Sequence, residues 1–141
     1  MNILIVKLSA IGDIIHTLPA LARLRRAFPQ ARISWVVERA MAELLRDHPM
    51  LDDVIEVDTR RWRKRWLARA TWREVKEALA LLRRRRYDLG FDFQGLMKSG
   101  VVLWLSGAER RIGFQTAALK ERASRLFLTE QVPVPADAHV I

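Results

Sequence analysis

Unbroken apolar runs alternate along this chain with stretches in which apolar residues recur every three or four positions. "NILIVKL" (2–8) is almost wholly aliphatic, the pattern of a strand buried on both faces. From Asp13 the spacing changes. Ile11, Ile14, Ile15, Leu18, Leu21 and Ala22 fall on one helical face, and Pro29 stands just past its end. "ARISWVVE" (31–38), "DDVIEVD" (52–58), "DLGFDFQ" (88–94) and "ERRIGF" (109–114) predict further strands. "RAMAELLRDH" (39–48) predicts a helix ending near Pro49. Arg73 to Arg85 predicts another, with Val75, Leu79 and Leu82 on one side. "LMKSGVVLWLSG" (96–107) predicts a short apolar helix closed by Gly107, and "TAALKERASRLF" (116–127) a last one. "TRRWRKRWLARATW" (59–72) reads as loop or surface helix, and "LTEQVPVPADAHVI" (128–141) as an extended connector into something further. Strands alternating with helices predict an α/β fold: Rossmann-like, doubly wound, with a mainly parallel sheet and right-handed crossovers.

Composition narrows the function classes. The 141 residues fit one domain, and half of them are hydrophobic, enough for a sizeable core. Without cysteine there is no disulfide framework and no thiolate chemistry. No pair of histidines has zinc spacing, so neither a metal nor a cofactor is expected. "ILIV" is too short for a signal peptide or a membrane span, and the chain reads as soluble and not exported. The formal net charge of +9 is concentrated. Twelve Lys or Arg between Arg60 and Arg86 face only Glu74 and Glu77, and the remainder is nearly neutral. Such a patch suits an anionic partner: nucleic acid, a membrane surface or an anionic substrate.

Candidate chemistry gathers where strands end, because ligands of open α/β sheets bind outside the carboxyl ends of the strands. Asp13 stands where the first strand gives way to the first helix. Gly12 permits close backbone approach or an unusual φ, and Ser9 with the amides around it offers a positive helix end. Two readings of Asp13 stay open. It complements the helix dipole, or it is a general base. A helix N-terminus stabilises the carboxylate, which makes a weak base. A weak base suffices when the attacked carbon has already lost much of its bond to a good leaving group, as in sugar transfer from a nucleotide diphosphate. A lone Gly12 is no dinucleotide fingerprint, and no Walker motif is present. Arg60, Arg61, Arg63, Lys64 and Arg65 alternate with Trp62 and Trp66, either a solvated basic surface or an anion-binding loop. Lys98 and Ser99 follow Gln94 at the next strand-to-helix turn. Lys7 needs a buried partner, with Asp92 and Asp13 as candidates. His16 shares the face of Asp13. Arg83 to Arg86 complement a helix C-terminus or add to a membrane-facing surface. Trp35 and Trp104 read as core.

"ILIVKLSAIGDIIHTLPAL", "RRWRKRW" and "DFQGLMKSG" together resemble the N-terminal half of ADP-heptose glycosyltransferases, the heptosyltransferases of glycosyltransferase family 9 with a two-domain GT-B fold. The arginine-tryptophan block and "QGLMKS" are most similar to the first-acting of these transferases. The resemblance implies inverting, metal-independent transfer of L-glycero-D-manno-heptose from ADP-heptose to Kdo2-lipid A. It implies Asp13 as catalytic base; Arg60, Arg61, Arg63, Lys64, Gln94 and Lys98 as acceptor-binding; and Ser9 and Gly12 as backbone or donor-phosphate contacts. It also implies one acceptor-binding domain over 1–141, with the nucleotide-sugar site mainly in a second Rossmann-like domain. Alone, the chain is then expected to bind donor poorly and not to turn over. The expected location is cytoplasmic and peripheral, against the anionic surface of the inner membrane.

Two alternatives compete. A basic α/β nucleic-acid module fits the charge and the tryptophan-interleaved arginines, but no RRM, KH or OB signature appears, and no nucleic acid is expected as a partner. A heptosyltransferase acting one sugar later is the other.

Overall fold

The computed structural model describes residues 1–114 and 122–132. The chain runs β1 (Asn2–Val6), α1 (Ile11–Ala27), β2 (Arg32–Glu38), a 3-10 helix (Arg39–Leu44), β3 (Asp53–Val57), α2 (Thr59–Lys64), α3 (Arg69–Arg83), β4 (Leu89–Asp92), α4 (Met97–Leu105), β5 (Arg110–Phe114), a second 3-10 helix (Arg122–Phe127) and β6 (Glu130–Val132). The six strands form one sheet in the order β3-β2-β1-β4-β5-β6, and every neighbouring pair is parallel. The expected doubly wound α/β fold is therefore present, with a wholly parallel sheet. The order turns back at β1, between β2 and β4, and that switch point is where such sheets open a crevice.

Alternation along β1 explains the two-sided burial. Ile3 and Ile5 join Ile14, Leu21, Ile33 and Trp35 in one core; Leu4 and Val6 join Val36, Ile55, Leu82 and Leu103 in the other. Trp35 is core as expected, and its indole N–H donates to the Lys7 carbonyl at 2.9 Å. Among the described residues no helix is long and apolar enough to cross a membrane.

Several expectations need correction. The inward stripe of α1 is Ile14, Thr17, Leu18 and Leu21, whereas Ile11 and Ile15 are exposed. At 100° per residue those two lie roughly 70° and 110° off the centre of the stripe. Thr17 takes an inward place because its hydroxyl donates to the Asp13 carbonyl at 2.7 Å. The helix expected over 39–48 is only the short 3-10 turn. Asp47 sits at φ 60°, and His48, preceding Pro49, is disfavoured from helical space. The basic stretch forms α2 and an earlier start of α3, at Arg69 rather than Arg73. The Asp58 side chain caps α2 by accepting from the Arg61 amide. Trp104 is not core: it is 53% exposed and tilts against Phe127 with ring centroids 6.2 Å apart. Glu130–Val132 is a sixth strand where only extended chain was expected. The first half of the predicted last helix, 116–121, and the connector from 133, including His139, lie outside the described residues, and the second half is the 3-10 helix Arg122–Phe127.

Candidate active site

A cleft of about 510 Å³ opens across the carboxyl ends of the strands, lined by Ser9, Glu38, Ala40, Met41, Asp58, Thr59, Arg60, Arg63, Lys64 and Lys98. Each wall has a local cause. Ser9 lies in the four-residue exit between β1 and α1; Lys98 is in the first turn of α4; Arg60, Arg63 and Lys64 are carried on α2. Their spacing of three and four residues puts those three bases on one helical face.

The charges in the cleft are not balanced. Glu38 accepts from the Thr59 amide at 3.1 Å and from the Thr59 hydroxyl, which fixes the start of α2. Asp58 is occupied by its cap and by Arg39 at 3.8 Å. Among the described residues, by contrast, no carboxylate pairs with Arg60, Arg63, Lys64 or Lys98. Both acids are satisfied within the protein and four bases are left for a ligand. Arginine forks and ammonium groups so placed hold carboxylate or phosphate.

Arg61, expected in the same set, faces elsewhere. Its guanidinium pairs with Glu74 at 3.0 Å, and the Trp62 indole N–H donates to the same carboxylate at 2.8 Å. Glu74 is held below the usual carboxylate range, first by that indole bond and then by the Arg61 charge. One acid thus clamps α2 onto α3, and Arg61 and Trp62, which hold it, are not among the residues lining the cleft.

The floor beneath the cleft is polar and buried. Lys7 is fully buried, and its Nζ donates to the Phe93 carbonyl at 3.1 Å. Asp92 Oδ1 accepts from the amides of Gln94 and Gly95 at 2.9 and 3.0 Å, while Oδ2 has no hydrogen-bond partner among the described residues. Burial pushes the Asp92 carboxyl above its ordinary range, against the pull of those amides, of Ser99 and of the Lys7 charge. Gly95, at φ 74°, occupies the left-handed region that a side chain resists, and this lets the turn wrap back onto Asp92. Gln94 is not in the cleft. Its Oε1 accepts from the Leu8 amide at 3.2 Å, stitching β1 to β4. Ser99 is also buried, its hydroxyl bonded to the Leu96 amide and carbonyl.

Asp13 is half-buried in the first turn of α1, as the chain's pattern implied, but it is not among the residues lining the cleft. It follows Ser9, which does line it, by four positions. The N-cap is Ala10, with no side-chain cap, and the Ser9–Ala10 peptide is cis. Gly12 lies in helical backbone with open space where a Cβ would stand, so neither an unusual φ nor close backbone approach explains it. His16 is exposed on α1. Of the basic run at the end of α3, Arg83 donates to the Leu105 carbonyl at 2.9 Å and Arg85 pairs with Asp53 at 3.2 Å. No group of three or more His, Cys, Asp or Glu suited to a metal occurs among the described residues. Glu38, Asp58 and Thr59 were not anticipated. The available signal was their place at the ends of the second and third strands.

No protein-family model matches the chain. It is 38% identical over 144 residues to lipopolysaccharide heptosyltransferase 1 of Pseudomonas aeruginosa, a match covering 100% of this chain and 40% of that protein. Against the Escherichia coli K12 protein of the same name identity is 35% over 143 residues, covering 100% and 44%. The solved structure of E. coli heptosyltransferase WaaC with ADP-2-deoxy-2-fluoro heptose matches with a TM-score of 0.91 and 34% identity, over 99% of this chain and 44% of that one. These similarities favour neither the nucleic-acid module nor the later-acting transferase. The chain is homologous over its whole length to proteins named lipopolysaccharide heptosyltransferase 1, and it spans 40–44% of theirs.

Proposed function

We propose that this chain is the acceptor-binding domain of an inverting, metal-independent heptosyltransferase of GT-B architecture. Such an enzyme moves L-glycero-D-manno-heptose from ADP-heptose to a hydroxyl of Kdo2-lipid A. The observation that carries the reading is the cleft at the carboxyl edge of the sheet, with four bases unpaired among the described residues and two acids already engaged. Arg60, Arg63, Lys64 and Lys98 hold the acceptor's carboxylate and phosphate groups. The acceptor hydroxyl attacks the anomeric carbon of the donor on the face opposite ADP. The bond from that carbon to the β-phosphate oxygen breaks, its electron pair leaves with ADP, and the hydroxyl proton passes to Asp13. Because ADP is a good leaving group, a modest base suffices, and orienting the hydroxyl is the larger part of its task.

A second nucleotide-sugar domain supplies most of the donor contacts, so the chain alone binds donor poorly and does not turn over. The enzyme works at the cytoplasmic face of the inner membrane, where its acceptor is anchored. The test is Asp13→Ala in the two-domain protein that this reading implies. Transfer from ADP-heptose to Kdo2-lipid A is expected to fall about 100-fold or more, with ADP binding unchanged. Turnover close to wild type removes Asp13 from the mechanism.

A further inference from the structure

The corner between α2 and α3 exposes more apolar surface than its chemistry explains. Trp66 is 60% exposed, Leu67 79% and Trp72 54%. They are not frayed ends. The Trp72 indole N–H donates to the Trp66 carbonyl at 2.6 Å, and the Ala68 amide bonds to the Arg65 carbonyl at 3.0 Å. The neighbouring Trp62 shows the alternative, being half-buried against the core with its indole bonded to Glu74. The fold therefore buries one indole of this segment and holds two others, with a leucine between them, out in water. Charge complements this. From Thr59 to Arg73 there are seven bases and no acid. Arg63, Lys64, Arg65, Arg69 and Arg73 are all exposed beside the apolar tip. An indole and isobutyl tip ringed by cations fits one partner, an anionic lipid surface. Tryptophan rings settle at the headgroup level while arginine and lysine meet lipid phosphates. Nucleic acid would use the indole faces but has no use for an exposed leucine.

We propose that Trp66, Leu67 and Trp72 form a membrane-docking corner for anionic bilayers, seating the protein with the mouth of its basic cleft at the headgroups. Arg63 and Lys64 line the cleft at the end of α2, and Trp66 follows Lys64 by two residues, so anchor and cleft mouth are neighbours along the chain. The biological sense of the corner rests on reading the cleft as taking a lipid-anchored anionic acceptor. The docking itself is tested without acceptor or donor, so it stands or falls separately from that reading.

The test is co-sedimentation of the purified protein with phosphatidylcholine vesicles, with and without phosphatidylglycerol. Binding is expected only to the anionic vesicles and should weaken steeply as salt rises. Trp66→Ala combined with Leu67→Ser should lower vesicle affinity at least about ten-fold. Each of Arg65→Gln and Arg69→Gln should lower it about five-fold. Circular dichroism confirms that the variants remain folded, and Trp104→Ala, which removes an exposed indole on α4, should bind as wild type. The proposal is overturned by equal binding to both kinds of vesicle, by none, or by a Trp66/Leu67 variant that binds as wild type. Equal loss in Trp104→Ala also overturns it, as does tighter binding to a single-stranded RNA than to the anionic vesicles.

Discussion

Replacing Lys7 by methionine tests whether charge holds the floor of the cleft. Lys7 is fully buried, donates to the Phe93 carbonyl at 3.1 Å and acts electrostatically on Asp92. Methionine fills nearly the same volume, so little cavity is created and the loss is mainly electrostatic. A hydrogen bond from a charged donor contributes about 1.5–3 kcal/mol. The second contribution comes from Asp92. With Lys7 gone, a carboxylate with an unpartnered Oδ2 loses its nearby cation. Removing one partner of a buried charged pair costs about 3–5 kcal/mol when the other charge must stay. Here it need not stay, because burial has already moved the carboxyl upward and it can take up a proton. Lys7→Met is therefore expected to lose about 2–4 kcal/mol near neutral pH, below the full penalty of a stranded ion. Adding Asp92→Asn should make the double variant less destabilised than the sum of the singles by at least about 0.5 kcal/mol. Urea unfolding of the four proteins, followed by circular dichroism, measures both quantities. A Lys7→Met cost under about 0.5 kcal/mol, or strict additivity in the cycle, would refute the reasoning.

Asp92→Asn alone carries a pH signature. A carboxyl raised in the folded state contributes stability that is fully present below its ordinary value of 3.8 and is lost as pH rises through the raised value. Asparagine does not titrate, so the variant's stability relative to wild type should climb with pH from about that point and then level off; thermal melts across the acid-to-neutral range would show a flat or falling difference if this is wrong. On the proposed reading, reversing Arg63 and Lys64 to glutamate should weaken acceptor binding at least about ten-fold in the two-domain protein which that reading implies, while leaving ADP binding within about two-fold, because both bases line the cleft and lack carboxylate partners among the described residues. Equal losses for both ligands in titration calorimetry would contradict that placement.

Much of the architecture was legible because burial on both faces leaves an unmistakable pattern. "NILIV" carries β1, and the alternation of Ile3 and Ile5 with Leu4 and Val6 feeds both cores. What escaped was settled by hydrogen bonds and neighbours that no spacing encodes. Thr17 faces inward through a bond to a carbonyl. Trp104, though set in an apolar helix, stays half exposed and tilts against Phe127. Within the basic block, residue type does not separate Arg61 from Arg60, Arg63 and Lys64. Helical spacing does, once α2 is recognised as a helix, and Glu74 then claims Arg61. Gln94 stands near Lys98 in sequence, but its side chain is buried outside the cleft lining with Oε1 bonded to the Leu8 amide. The place of Asp13 at the start of α1 was legible, while its position relative to the cleft lining was not.

The cleft draws its walls from stretches scattered between Ser9 and Lys98, each at the far end of a different strand or on the helix that follows one. Arg60, Arg63 and Lys64 come together on α2 alone, but Ser9 and Lys98 reach the cleft only from other strand ends, so a partly formed sheet holds an incomplete basic cleft. Zipping the strands into parallel register is what brings Lys98 of α4 beside the three bases of α2. Affinity for a polyanion is then itself a gauge of how completely the sheet has closed.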